Sequence, residues 1–323
     1  MKTKTTVGLL TVIVLAFAFT LPAFAGDEEK TSSGSATVGN AAPTVTNPML
    51  HNVAGTSDLN NTALTVNTEY HVNCTITDSN SLMDILNITW YVFDGSSTTY
   101  ASSDANATHY TFKYLNSTDT WSEVGPGPSN AHIVTGSCSQ PGTKTGTSGT
   151  YHLAFKLALT ANYTTVTTQW KVNITVYDAA AASGNVQTVM FAVNAYYLLS
   201  LTDTTHAWTG LAAGDTNKTL TTPVDGSLDM TVTSNNNFNL QCKGSGDLTS
   251  SESNTIPIGN VLIHKDTLAS SINMTVTYAN CPGNTGLSKS ESTATTVTLW
   301  LSVPSGTPSG TYTYTLSIQA VAS

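Results

Sequence analysis

Apolar and polar residues alternate with a period of two along most of this chain. Successive side chains of a β-strand point to opposite faces of its sheet, so each apolar stripe predicts a strand with one buried face. The first half of the chain carries five such stripes: Tyr70/Val72/Cys74/Ile76, Leu86/Ile88/Trp90/Val92, Tyr151/Leu153/Phe155/Leu157/Leu159, Trp170/Val172/Ile174/Val176 and Val189/Phe191/Val193.

The second half of the chain repeats the alternation. Its stripes are Leu228/Met230/Val232, Phe238/Leu240/Cys242, Ile272/Met274/Val276/Tyr278, Val297/Leu299/Leu301/Val303 and Tyr312/Tyr314/Leu316/Ile318. The Pro- and Gly-rich segment 304–310 predicts a turn that joins the last two strands into a hairpin. No segment after residue 25 keeps a helical period, so the pattern predicts an all-β protein built from two tandem β-sandwiches.

The first 25 residues differ from the rest and have the features of a secretory signal peptide. Lys2 and Lys4 precede the apolar run 7–19, and Ala23-Phe24-Ala25 forms an A-x-A cleavage site. An uncleaved anchor is the alternative, but the run is shorter than the ~20 residues of a spanning helix. We therefore expect a secreted protein of the extracellular space or cell surface.

Composition divides the mature chain into three parts. Residues 26–41 are acidic and then Ser- and Gly-rich, which predicts a flexible leader or linker. Two domains are expected after it, at 42–194 and 195–323. Each is long enough to bury a core of its own.

Charge excludes one class of partner. Only 10% of residues are charged and there is no arginine; after loss of the signal peptide, 9 Lys face 20 Asp and Glu, a net charge of −11. A protein without basic patches or guanidinium groups is not expected to bind nucleic acid.

Three segments carry a resemblance to a known class of domain. Residues 67–78 (NTEYHVNCTITD), 83–94 (MDILNITWYVFD) and 170–178 (WKVNITVYD) resemble the immunoglobulin-like domains of archaeal and bacterial secreted surface proteins. Residues 303–318 resemble the terminal hairpin of sandwich modules in such proteins. The resemblance implies a β-sandwich fold and a structural or adhesive role in a surface layer, sheath or filament.

Four cysteines in an exported protein favour two disulfides. Four cysteines allow three pairings, and pairing within each predicted domain gives Cys74–Cys138 and Cys242–Cys281. Free buried thiols are the alternative. An antibody-like bridge between sheets is not expected, because Cys138 lies in the loop-like sequence SCSQPG.

Two loops carry candidate metal ligands. In an immunoglobulin-like sandwich the B–C and F–G loops lie at the same end, which here would gather Asp78, Asn80, Asp84 and Asp178. Carboxylate and amide oxygens are ligands for Ca²⁺, so a calcium ion is the one cofactor this chain suggests. The alternative is that these side chains only cap turns.

Other candidates concern surfaces. Of nine N-x-S/T sequons, Asn73, Asn87, Asn173 and Asn273 fall on the polar phase of strands, where a glycan could be attached in a glycoprotein. Tyr91, Phe93 and Trp300 fall on the outward phase and are candidates for a glycan-binding or protein interface, unless a loop covers them.

No sequence motif indicates an enzyme. The seven histidines are scattered, and neither H-E-x-x-H, G-x-S-x-G nor a phosphate-binding loop is present. The leading hypothesis is a non-enzymatic extracellular structural protein that self-associates or binds other cell-surface proteins. A secreted adhesive or carbohydrate-binding module is the alternative, and a secreted hydrolase or its accessory domain is a weaker one.

Overall fold

The computed structural model describes residues 33–95, 108–125 and 132–323. The predicted signal peptide lies outside these residues. Contacts between Cα atoms divide the chain into two compact units, residues 1–39 and 40–323. Residues 33–39, the described part of the first unit, are exposed and form no strand or helix. Within the described residues, no helix is long and apolar enough to cross a membrane.

Nine strands form the first half of the second unit. They are β1 (Thr44–Asn52), β2 (Ala63–Leu64), β3 (Glu69–Thr77), β4 (Ile85–Asp94), β5 (His109–Leu115), β6 (Thr120–Gly125), β7 (Ser148–Lys156), β8 (Trp170–Asp178) and β9 (Ser183–Val193). Single 3₁₀ turns occur at Leu82–Asp84 and Thr135–Ser137.

These strands form two sheets that face each other. One sheet has the order β1-β3-β7 and the other the order β2-β9-β8-β4-β5-β6; every pairing is antiparallel except β2 with β9. Side chains of both sheets enter one buried core. Phe112 meets Phe155 across it with ring centroids 5.8 Å apart, and Tyr114 meets Tyr151 at 5.4 Å. The first half is therefore a β-sandwich, as the alternation predicted.

The strand order is that of an immunoglobulin-like domain. In such domains strands A, B and E share one sheet, and G, F and C share the other, with C′ and C″ added beyond C in the variable type. Here β1, β3 and β7 take the first positions, and β9, β8, β4, β5 and β6 take the second. Cys74 on β3 and Trp90 on β4 are both buried in the core.

Twelve strands form the second half. They are β10 (Tyr197–Leu201), β11 (Lys218–Thr219), β12 (Ser227–Ser234), β13 (Phe238–Gly244), β14 (Leu248–Ser250), β15 (Thr255–Ile256), β16 (Val261–His264), β17 (Ile272–Asn273), β18 (Ala279–Asn280), β19 (Ser290–Leu301), β20 (Tyr312–Thr313) and β21 (Leu316–Ala322). Single 3₁₀ turns occur at Ile258–Asn260 and Leu268–Ser270.

A second sandwich results from these strands. Its larger sheet has the order β10-β12-β19-β16-β17, with β11 also on β19; its opposing sheet is β18-β13-β21, and β15-β14-β20 forms a small third sheet. Their apolar faces share a second buried cluster, separate from the first. The fold is therefore all-β with two sandwich cores, and the exact boundary at 194/195 stays a prediction.

Three local predictions were wrong. Leu86 is 48% exposed instead of buried, because the pairing of β4 with β8 shifts register between Ile85 and Asn87 and changes the phase of the strand. Val276 and Tyr278 are exposed, since β17 ends at Asn273. The final hairpin does not form: β19, β20 and β21 belong to three different sheets, so residues 304–310 cross from the larger sheet to the small third sheet.

Candidate functional site

Three acidic side chains meet at one end of the first sandwich. Asp78 follows β3, Asp84 precedes β4 and Asp178 ends β8, so two loops deliver them to the same pole. One carboxylate oxygen from each lies within 4.8 Å of the others. Asp78 is 1% exposed and Asp178 is fully buried. We call Asp78, Asp84 and Asp178 the acidic cluster.

Some of the cluster's oxygens cap turns. The backbone N–H of Asn80 donates to Asp78 Oδ1 at 2.8 Å, and that of Ala182 donates to Asp178 Oδ1 at the same distance. The second oxygen of Asp78 differs, because Oδ2 is buried and no group in the described residues donates a hydrogen bond to it. Turn capping thus accounts for part of the cluster but not for this atom.

Residues 40 and 41, which lead into the first sandwich, form hydrogen bonds with both loops that carry the acidic cluster. The side-chain amide of Asn40 donates to Asp178 Oδ2 at 2.8 Å, and the backbone N–H of Ala41 donates to Asn80 Oδ1 at 2.8 Å. Asn80 therefore binds the entering chain as well as lying beside the cluster. A Cβ on Gly184 would be only 2.2 Å from the Pro43 carbonyl oxygen, so the backbones are in close contact here.

All four cysteines are free thiols in the structure. Cys242 and Cys281 nevertheless lie near each other, because Cys242 pairs with Ala279 and the backbone N–H of Cys281 donates to the Leu240 carbonyl. The neighbouring Cys242 thiol lowers the pKa of Cys281, to which the Asn284 amide also donates at 3.6 Å. The predicted pairing of these two cysteines remains a proposal.

The two cysteines of the predicted Cys74–Cys138 bridge lie on opposite sides of β7. Cys74 belongs to β3, which pairs with one edge of β7. Cys138 lies along the other edge, because the next residue, Ser139, forms a β-bridge with His152 of β7. Two interstrand spacings of ~4.8 Å exceed the ~7 Å limit for Cα atoms of a disulfide. Burial raises the pKa of Cys74 to about 12 and that of Cys138 to about 11, so both thiols are protonated.

The four sequon asparagines differ in accessibility. Asn273 is exposed, and Asn73 and Asn173 are half-buried. Asn87 is buried, contrary to the polar phase expected for it, and its side chain accepts a hydrogen bond from the Thr89 hydroxyl at 3.4 Å. The same register shift that exposes Leu86 explains this change, so Asn87 is a poor glycan acceptor in the folded chain.

The predicted outward aromatics are less exposed than expected. Tyr91 and Phe93 are half-buried on β4. Trp300 points away from the second core but is only 5% exposed, because residues 219–227 and 265–268 flank it around a cavity of about 550 Å³. Trp300 is therefore not a surface anchor in this structure.

A different aromatic group lines a cavity of about 830 Å³ in the second sandwich. Trp208 and Tyr314 stack with ring centroids 6.3 Å apart, and His206 packs edge-on against Tyr314 at 5.2 Å. Burial lowers the pKa of His206, which keeps its ring neutral. We call this site the aromatic groove. The sequence offered one signal for it, namely Trp208 within a loop of small and polar residues.

Two edge strands of the second sandwich, β10 and β21, lie beside each other. β10 pairs only with β12 and β21 only with β13 among the described strands, and β10 contacts β21 across the sandwich. Leu198 and Leu201 on β10 are 51% and 40% exposed. All residues of β21 but the last are half-buried, so neither of its faces is fully covered. We call β10 and β21 the open seam.

Comparison with known proteins adds little to this geometry. No protein-family profile matches the chain, and no curated protein sequence matches it. Among solved structures, the C-terminal domain of the Streptococcus agalactiae AgI/II polypeptide BspA is 10% identical and has a TM-score of 0.24, over 87% of this chain and 96% of that one. Dimeric latent PorU from Porphyromonas gingivalis is 11% identical with a TM-score of 0.13, over 86% of this chain and 33% of that one. Likenesses this weak assign neither a family nor a role to this chain.

Proposed function

We propose that this chain is a non-enzymatic extracellular structural protein, a subunit of a cell-surface layer, sheath or filament. The observation that carries the proposal is the open seam. An edge strand with unpaired backbone groups and apolar side chains is a site where another chain can add a strand. Soluble monomers usually protect such edges with charge, whereas the sequence of β10, YLLSL, has none.

The leader is the proposed donor. Residues 33–39 are exposed and have no regular structure, and Val38 is 83% exposed. The tract Ser35-Ala36-Thr37-Val38 alternates small polar and apolar side chains, as an added strand requires. Pairing with the open seam of a neighbouring copy would satisfy backbone groups on both sides and cover β21.

The test compares assembly of the mature chain with that of two variants, by electron microscopy and light scattering. Deletion of residues 26–38 removes the donor, and Leu198→Lys places a charge on the acceptor edge. Both should stay monomeric yet keep their Tm, because neither change touches a core residue. Val224→Lys is the matched control, since Val224 is 98% exposed and lies outside the seam; it should assemble normally.

Two outcomes contradict parts of the proposal. Assembly of the deletion variant would eliminate the leader as donor and move the interface elsewhere. A mature chain that stays monomeric at every concentration would contradict the structural role itself.

The aromatic groove favours a second candidate function, that of a carbohydrate-binding module. Aromatic rings in a concave site can stack on sugar rings. A monomeric protein that is retarded on a glycan column, and whose Trp208→Ala variant is not, would support this alternative.

A further inference from the structure

We propose that the acidic cluster binds a calcium ion at the pole where the chain enters the first sandwich. The proposal does not depend on assembly, because every group involved belongs to one copy of the chain. Its first support is geometric: Asp78, Asp84 and Asp178 bring one oxygen each within 4.8 Å of the others.

The second support is the buried oxygen without a partner. Asp78 is 99% removed from solvent, and its Oδ2 accepts no hydrogen bond in the described residues. A buried carboxylate oxygen that accepts no hydrogen bond has lost its hydration without compensation. A cation held between the three carboxylates would compensate it directly.

The lack of cationic side chains near the three carboxylates, among the described residues, also supports a bound cation. None of the three carboxylates has a lysine or histidine within ion-pair distance in the described part of the chain. Like charges this close, two of them on buried side chains, repel strongly in a medium of low dielectric constant. Binding of a divalent cation would replace this repulsion with attraction.

The donor set selects the metal. All available atoms are oxygens, and no cysteine or histidine belongs to the cluster, which disfavours zinc. Calcium accepts six to eight oxygens in irregular geometry and would complete its shell with water or backbone carbonyls, whereas magnesium requires a near-ideal octahedron.

The ion would also fix the base of the leader. Asp178 accepts a hydrogen bond from Asn40, and Asn80, in the loop that joins Asp78 to Asp84, accepts one from Ala41. Calcium binding would hold both loops in place and with them the point where the leader departs.

The experiment measures Tm and binding heat of the mature chain with CaCl₂ at constant ionic strength, after removal of bound metal with EDTA. We expect calcium at ~100 times its dissociation constant to raise Tm by about 5 °C. Asp84→Asn is the decisive variant, because the Asp84 side chain is only partly buried and makes neither of the hydrogen bonds that cap the turn Leu82–Asp84. Without calcium its Tm should equal or exceed that of the wild type, as one repelling charge is gone. With calcium it should gain little.

Asp225→Asn is the matched control; it neutralises an exposed aspartate outside the cluster and should keep the full calcium response. A wild-type chain with neither binding heat nor a Tm shift at 10 mM calcium would overturn the proposal. So would an Asp84→Asn variant with an undiminished response. A Tm that ignores calcium but rises on acidification would assign the cluster a shared proton instead of a metal.

Discussion

Three histidines lie side by side on the outer face of the sheet β1-β3-β7. The rings of His51 and His71 have centroids 5.4 Å apart, and those of His51 and His152 are 6.4 Å apart. The Glu69 Oε1 lies 2.9 Å from the His71 Nε2. Burial, and next the proximity of His51 and His71, lower the pKa of His152.

This lowered pKa predicts a loss of stability in mild acid. As the pH falls below the unfolded value of ~6.5, the unfolded chain binds a proton at His152 before the folded chain does. Stability therefore falls from about pH 7 downward, and the contribution of His152 levels off below its folded pKa. Thermal unfolding between pH 8 and pH 5 should show a weaker pH dependence for His152→Gln than for wild type. Equal slopes would contradict the prediction.

The proximity of Cys242 and Cys281 predicts that they form a disulfide in an oxidising environment. The lowered pKa of Cys281 increases its thiolate fraction and favours attack during oxidation. The bridge would close a loop of about 40 residues, worth roughly 4 kcal/mol in the chain-entropy model. Peptide mapping without reduction should find Cys242 linked to Cys281, and Cys74 and Cys138 should react with alkylating reagents only after unfolding. A Cys74–Cys138 peptide would contradict the strand order.

At the residue scale, the alternating pattern predicted individual burial well where strands are regular. Trp90, Val172 and Phe191 are all buried as expected, since a strand of fixed phase assigns each side chain to one face. The pattern does not encode register shifts or loops that fold over a strand. Asn87 and Trp300 were therefore assigned to solvent although both are buried.

At the scale of elements, the chain just before β1 packs closely against β9 where Pro43 meets Gly184. The two loops of the acidic cluster and the entering segment all converge at this point. The sequence could predict that the two loops share a pole, because immunoglobulin-like order places them there. The hydrogen bonds of Asn40 and Ala41 to these loops were not predictable, because they depend on the path of an irregular segment that has no repeating pattern of apolar residues.

Gly184→Ala tests this contact. The new Cβ would lie 2.2 Å from the Pro43 carbonyl oxygen, so the entering segment must shift away from β9. We expect a loss of about 1–3 kcal/mol in the free energy of unfolding, as for other overpacked sites. Gly136→Ala is the control, because a Cβ there meets no atom within 4 Å. Equal Tm values for the two variants would show that the contact is easily relieved.

At the scale of the whole molecule, the number of strands and their alternation were enough to predict an all-β fold with two cores. The crossing of residues 304–310 between layers was not predictable from a turn motif, since Pro and Gly favour a reversal of direction without specifying which sheet the next strand joins. The open seam was not predictable for a similar reason, because a strand pattern does not specify which strands lie at the edges of a sheet.

The parallel pairing of β2 with β9 has a mechanical consequence. The chain enters at Pro43 beside Gly184, near the start of β9, and leaves from the far end of β9 at Val193. On the way, β2 pairs with β9 in the same direction. A pull in opposite directions on residues 43 and 193 would drag β2 and β9 lengthwise past each other. The hydrogen bonds between these two strands would then be loaded in shear and would have to break together, instead of breaking one after another.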